Sequence, residues 1–99
     1  MNYFAIVSFD IADSATLRAK HQDDHRGRIS ELQAEGRLLT AGPLPRIDTY
    51  GREAEGVQGS IVIAAFDNLE KARQWAAADP YRINGVYYES NVYPYQQVF

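Results

Sequence analysis

The chain carries two histidines, His21 and His25, in the stretch "KHQDDHRGRI" from Lys20 to Ile29. On a helix the i, i+4 spacing lets two imidazoles share a metal ion. Such a site needs further ligands, and the chain has no third histidine and no cysteine. Asp24 adjoins His25 and points to a different side of a helix. No metal and no cofactor is therefore expected. His25 is the more interesting of the two, because a neutral imidazole can take a proton near physiological pH. If its helix begins near Asp23, the positive end of the helix dipole favours the neutral ring by roughly 0.3–1 kcal/mol. Asp23 and Asp24 push the other way. The plainer reading makes both histidines partly exposed helix residues, and His21 receives no role.

A second candidate is Asp79 in "AADPY" (Ala77 to Tyr81). Asp-Pro is a common helix exit, because proline disfavours α geometry in the residue before it. A carboxylate at a helix C-terminus also sees like partial charge, so it gains from a proton-donating partner. A buried aspartate that holds a histidine in one tautomer is an established way to build a base. Spacing alone does not connect Asp79 to His25. In "TAGP" (Thr40 to Pro43), Gly42 stands where backbone can approach a ligand or another chain, or simply turn. Tyr3, Tyr81, Tyr87, Tyr88, Tyr93 and Tyr95 either line an aromatic pocket or fill core and interface. Gly42, Pro43 and Tyr81 are the expected ligand-contacting positions. No nucleophile elbow, Walker, Rossmann or zinc-ribbon spacing is present, and "GREAEGVQG" lacks the ending of a phosphate loop.

These residues must be positioned by a short list of elements. "NYFAIVSFD" reads as a strand with Phe4, Ile6 and Ser8 on one face and Tyr3, Ala5, Val7 and Phe9 on the other. A long helical pattern follows, with Asp13 or Ser14 as cap and Leu17, His21, His25, Ile29 and Leu32 as its stripe. A shorter helix capped by Asp23 or Asp24 is the alternative. Gly36 ends the pattern. "RLLTAGPLP" is a second strand ending at Pro43 and Pro45, and Arg46 to Gln58 is a long polar loop. "SIVIAAF" is a third strand. "DNLEKARQWAAADP" is a second helix, capped by Asp67 or Asn68 and ended by Pro80. "GVYYESNVYPYQQVF" is a final strand or strand pair. The order βαββαβ predicts one α+β, ferredoxin-like domain over residues 1–99, a four-stranded antiparallel sheet with two helices on one face.

Composition excludes several classes. The chain has 99 residues, 45% hydrophobic and 23% charged, as in a folded domain. Its net charge is −3, with only two lysines and no Lys/Arg cluster, so no nucleic acid is expected as partner. No apolar run approaches the roughly 20 residues of a membrane helix, and "FAIVSF" lacks the flanks of a signal peptide. With no cysteine, a cytoplasmic location is permitted and expected.

A one-sided antiparallel sheet should alternate apolar and polar residues. The first and third strands are apolar on both faces. Leaving the outer face wet forfeits about 1.5–3 kcal/mol per large side chain. A homodimer packed sheet to sheet about a two-fold axis is the expected remedy. Cover by the chain's own C-terminal segment is the alternative.

"EGRLLTAGPLP" (Glu35 to Pro45), "GSIVIAAF" (Gly59 to Phe66), "ARQWAAADPYRINGVY" (Ala72 to Tyr87) and the ending "YPYQQVF" together resemble the YciI-like (YCII-related) proteins. The resemblance covers nearly the whole chain. It implies a dimer of the dimeric α+β barrel type and a His–Asp dyad as active site. On the family pattern the dyad falls on His25 and Asp79, and nothing carries over to His21. Related barrels include lyases and isomerases of aromatic breakdown products and cofactor-free monooxygenases. The expected function is a cofactor-independent, lyase- or isomerase-like enzyme that uses the dyad as general acid/base on a small organic molecule. The alternative is a non-catalytic ligand-binding or accessory domain in which the dyad is structural.

Overall fold

The computed structural model describes residues 1–48 and 56–99. Residues 49–55, most of the long loop expected after Arg46, lie outside the described residues. The elements are β1 (Asn2–Asp10), α1 (Ala15–Ala34), β2 (Leu38–Pro45), β3 (Val57–Phe66), α2 (Leu69–Ala77), α3 (Pro80–Ile83) and β4 (Tyr87–Tyr95). The strands form one antiparallel sheet in the order β2-β3-β1-β4. This is the ferredoxin-like arrangement. No helix among the described residues is long and apolar enough to cross a membrane.

Strand alternation sets the two faces. Phe4, Ile6, Ser8 and Asp10 of β1 are buried on the helix side, as are Ser60, Val62, Ala64 and Phe66 of β3. Leu32 from α1 and Ala72 and Ala76 from α2 complete this core. The alanines at Ala64, Ala72 and Ala76 let α2 lie close to the sheet. A second, smaller cluster joins Tyr81, Val86 and Tyr87 under Leu17 of α1. The opposite sheet face presents Tyr3, Ala5, Val7, Phe9, Ile61, Ile63 and Ala65, all half-buried, with Tyr93 and Tyr95 exposed beside them.

Two local features shape the site. The β1–β4 register shifts between Phe9 and Asp10, so that Phe9 pairs with Glu89 and Asp10 with Tyr87. The extra residue, Tyr88, is 60% exposed, while Tyr87 is only 3% exposed on the helix side. The bulge therefore turns Tyr87 inward beside Asp10. Gly59 of β3 lies against β1 so closely that a Cβ there would stand 2.1 Å from the Ser8 carbonyl oxygen. Only glycine fits.

The helices follow the longer of the two readings for α1 and depart from expectation at its cap and at the end of α2. α1 is continuous from Ala15 to Ala34, as the long helical pattern from Ser14 predicts, and His25 and Leu32 are its buried residues. His25 is thus mid-helix, away from the N-terminal dipole, and Asp23 and Asp24 are exposed α1 residues, not caps. Ser14 occupies the N-cap position but makes no capping bond with its side chain; its hydroxyl is taken by Asp10. α2 begins as expected, with Asn68 accepting from the Lys71 amide. It stops at Ala77, and Pro80 opens the extra helix α3 at its first turn, where a missing N–H costs nothing. Gly36, at φ +71°, follows the last turn of α1 in the left-handed conformation, as expected.

Candidate active site

His25 is buried on α1, 7% exposed, in a position its stripe predicts. Its Nδ1 donates to Asp79 Oδ1 at 2.8 Å. The same oxygen accepts the Tyr81 backbone N–H at 2.9 Å. Asp79 is the N-cap of α3, so the like-charge argument from a helix C-terminus does not apply to it. The cap bond fixes the carboxylate, and the carboxylate fixes the ring. The Tyr81 ring stacks on the imidazole at 3.9 Å between centroids and 9° between planes, and Tyr87 meets it edge-on at 6.3 Å. With Nδ1–H committed to Asp79, Nε2 is the atom left to take or give a proton.

A second polar cluster lies one helical repeat away. Arg18, seven residues before His25 and so on the same α1 face, forks onto Asp10 with Nε–Oδ2 at 2.6 Å and Nη2–Oδ1 at 2.9 Å. Ser14 donates to Asp10 Oδ2 at 2.5 Å. Arg18 Nη2 also reaches Ser60 Oγ at 3.0 Å and the Gly59 carbonyl at 3.3 Å. The Tyr81 hydroxyl donates to the Arg18 carbonyl at 3.2 Å. The guanidinium lies 5.0 Å from the Tyr81 ring centre and 5.9 Å from that of Tyr87. Burial works against the Arg18 charge, but the hydrogen bonds and charge of Asp10 outweigh it and raise the pKa. Burial also raises the Tyr81 phenol, against the pull of Arg18 and Arg26. It pushes Tyr87 well above the usual tyrosine range, against a hydrogen bond from Ser60.

On the other flank, Arg28 lies over the Trp75 ring at 4.3 Å. Burial lowers its pKa, against the charges of Asp79 and Glu31.

Between α1 and strands β2 and β3 opens a cavity of about 520 Å³, within the range of small-ligand sites. Arg18, His25 and Tyr81 line it together with Ile29, Val62 and Pro43. The five residues singled out in the sequence therefore converge: His25, Tyr81, Gly42 and Pro43 line the cavity, and Asp79 stands behind His25. Gly42 pairs with Ile61, so it contributes backbone, and a Cβ there would meet nothing within 4 Å. Of the other tyrosines, Tyr87 is buried behind the wall, while Tyr3, Tyr93 and Tyr95 belong to the outer sheet face. Asp10, Ser14, Arg18 and Ser60 were not anticipated. The available signal was an acid at an inward position of β1 and an arginine seven residues from His25.

A ferredoxin-like sheet with a buried, hydrogen-bonded His–Asp pair beside a helix-side cavity defines the class: an α+β protein with a cavity between helix and sheet. The chain belongs to the YCII-related domain family, which it matches over residues 1–96. It is 45% identical over 97 residues to an uncharacterized protein of Haemophilus influenzae strain Rd, covering 98% of this chain and 99% of that one. It is 46% identical over 96 residues to Protein YciI of Escherichia coli O6:H1, covering 97% and 98%. Among solved structures it is similar to 5-chloro-2-hydroxyhydroquinone dehydrochlorinase from Burkholderia phenoliruptrix in complex with 2,5-dihydroxybenzoquinone. The TM-score is 0.83 at 20% identity, over 96% of this chain and 94% of that one. What that likeness shows is the shared fold.

Proposed function

We propose that the chain is a cofactor-independent enzyme of the lyase or isomerase kind, acting on a small organic molecule in the cavity beside His25. The observation that carries the reading is the 2.8 Å bond from His25 Nδ1 to a carboxylate that is itself fixed by a backbone N–H. His25 Nε2 takes a proton from a carbon or hydroxyl of the substrate. The electron pair released forms a new double bond and either expels a leaving group or re-forms a C–H bond elsewhere. Asp79 steadies the imidazolium, which then returns the proton. Gly42 and Pro43 form the wall against which a flat molecule lies, and Tyr81, at the edge of the cavity, backs the His25 ring. That a dehydrochlorinase of the same fold holds a dihydroxybenzoquinone makes hydroxylated rings the first substrates to try.

The test is turnover of a panel of chlorinated and hydroxylated hydroquinones, followed by absorbance and chloride release. The parent is expected to convert at least one, and His25→Ala to slow it by about 10²–10⁴-fold without loss of fold. One observation favours a second, non-catalytic reading: both side chains of the pair are at least nine-tenths buried, and they tie α1 to the start of α3. No turnover by the parent, with several kcal/mol of stability lost in both His25→Ala and Asp79→Ala, would establish that structural role.

The outer sheet face supports a homodimer. Its apolar side chains gain about 1.5–3 kcal/mol each when covered, and a second copy of the same sheet is the self-complementary cover that two-fold symmetry provides.

A further inference from the structure

The cavity's charged lining is one-sided. Among the described residues that line it, the ionisable groups of cationic type are Arg18, Arg26 and His25, and none is acidic. Asp10, the acid onto which Arg18 forks, is not among the lining residues. Its Oδ1 accepts from Arg18, and its Oδ2 accepts from both Arg18 and Ser14. Those bonds use Nε and Nη2 of the guanidinium; Ser60 and Gly59 also take Nη2. Nη1 serves none of the four. Ser60 Oγ accepts from Arg18. Asp10 thus does for Arg18 what Asp79 does for His25. It fixes the orientation of a group that lines the cavity.

We propose that Arg18 is the specificity-determining residue of this cavity, and that the cavity takes small planar organic oxyanions, phenolate or carboxylate, with the anionic oxygen on Arg18 Nη1. Three features agree. A guanidinium binds a planar oxyanion in its own plane. Arg18 and His25 are held against one buried ring, with the guanidinium 5.0 Å and the imidazole 3.9 Å from the Tyr81 ring centre, so both line the same cavity at a fixed separation. The opposing wall, from Pro43 of β2 and Val62 of β3, is apolar, as is Ile29 of α1 beside His25, and suits the ring that carries the oxygen. A phenolate held at one end by a cation has its charge stabilised as it delocalises, which is what proton abstraction from a hydroxylated ring requires. The proposal rests on the cavity being the ligand site, as in the proposed function, and does not require turnover.

The experiment compares matched probes on the full chain by calorimetry: benzoate against benzamide, and 4-nitrophenolate against nitrobenzene. The parent is expected to bind each anion at least tenfold more tightly than its neutral partner. In the double variant Asp10→Asn/Arg18→Gln, which removes both charges together, the discrimination is expected to fall to twofold or less. Arg18→Lys keeps the charge opposite Asp10 and loses the flat fork, so it decides the point where the double variant does not fold; there the discrimination is expected to fall at least threefold. Equal affinity for anion and neutral probe, binding of none of the four, or unchanged discrimination in these variants overturns the proposal. The benzoate and 4-nitrophenolate arms distinguish carboxylate from phenolate as the preferred oxyanion. A chain that selects anions yet turns over nothing defeats the enzyme reading alone. A chain that turns over neutral rings as fast as anionic ones defeats the specificity proposal alone.

Discussion

Two buried aspartates, Asp79 and Asp10, hold the two polar residues packed on the Tyr81 ring, and they are used differently. Asp79 takes one ring N–H and one backbone N–H on a single oxygen. Asp10 takes three bonds from a guanidinium and a hydroxyl, spread over both oxygens. The first holds a group that can change its proton; the second holds a group that stays charged. A histidine oriented by a carboxylate keeps a free nitrogen and remains chemically adaptable. An arginine forked onto a carboxylate is fixed in place and charge, and offers a ligand a donor whose charge and position do not change. The same residue type thus holds a titratable group in one cluster and a permanently charged one in the other.

The sharpest way to break this comparison is to remove each carboxylate in turn. Asp10→Ala leaves a largely buried guanidinium without its counter-charge, and removing one partner of such a pair typically costs about 3–5 kcal/mol. Asp79→Ala leaves an imidazole that can remain neutral, together with one unsatisfied backbone N–H at the start of α3. The expected cost is about 1–3 kcal/mol. Urea denaturation at neutral pH measures both. Equal losses would mean that the two aspartates do the same structural work, and the contrast drawn between them would fall.

A finer division comes from Asp79→Asn. The asparagine oxygen can still accept from Nδ1 and from the Tyr81 amide, so little stability should be lost, within about 1 kcal/mol by the same denaturation. If His25 works as a base, its rate on any substrate found should still drop steeply. The carboxylate that stabilises the imidazolium is gone, and the amide can instead hold the ring in the wrong tautomer. Retained rate in Asp79→Asn would reduce Asp79 to a cap for α3.

The two aspartates also differ in how far the sequence reveals them. Strand alternation places Phe4, Ile6 and Ser8 inward and gives the sheet, and the step of four from Leu17 to Ile29 brings His25 to the sheet side. Family resemblance supplies the pairing with Asp79, which spacing could not, because the two are 54 residues apart and meet only when α1 and α3 pack. Asp10 follows the same inward alternation, yet a lone acid at a strand end also reads as the start of a polar turn. Its partner, Arg18, shows itself only through a seven-residue spacing that any helix face provides. Asp23 and Asp24 resemble caps locally, and tertiary packing of the α1 stripe overrides that local preference. The bulge at Tyr88 has no composition signal, since Tyr87 and Tyr88 are the same residue type and only pairing with β1 decides which turns inward. Pro80 likewise serves a helix end and a helix start equally well; the capping bond from Asp79 decides for a start.

Tyr87 lies between the two clusters, edge-on to His25 and near the Arg18 guanidinium, and it gives the smallest effect and the finest probe. Burial holds its phenol well above the usual value of about 10, so the folded chain keeps this proton after the unfolded chain has released it. The resulting contribution to stability is fully present below pH about 10 and is lost as pH rises beyond it, at no more than about 1.4 kcal/mol per pH unit for one group. Tyr81 is shifted in the same direction and adds its own slope. Chemical denaturation at pH 9, 10 and 11 should therefore show stability falling between the last two. Tyr87→Phe should flatten that fall by up to about 1 kcal/mol and leave the Tyr81 share. An unchanged slope in Tyr87→Phe would mean that the phenol reaches water in solution, and that the wall between the rigid and the reactive cluster is more open than the packing of Tyr81 on Tyr87 implies.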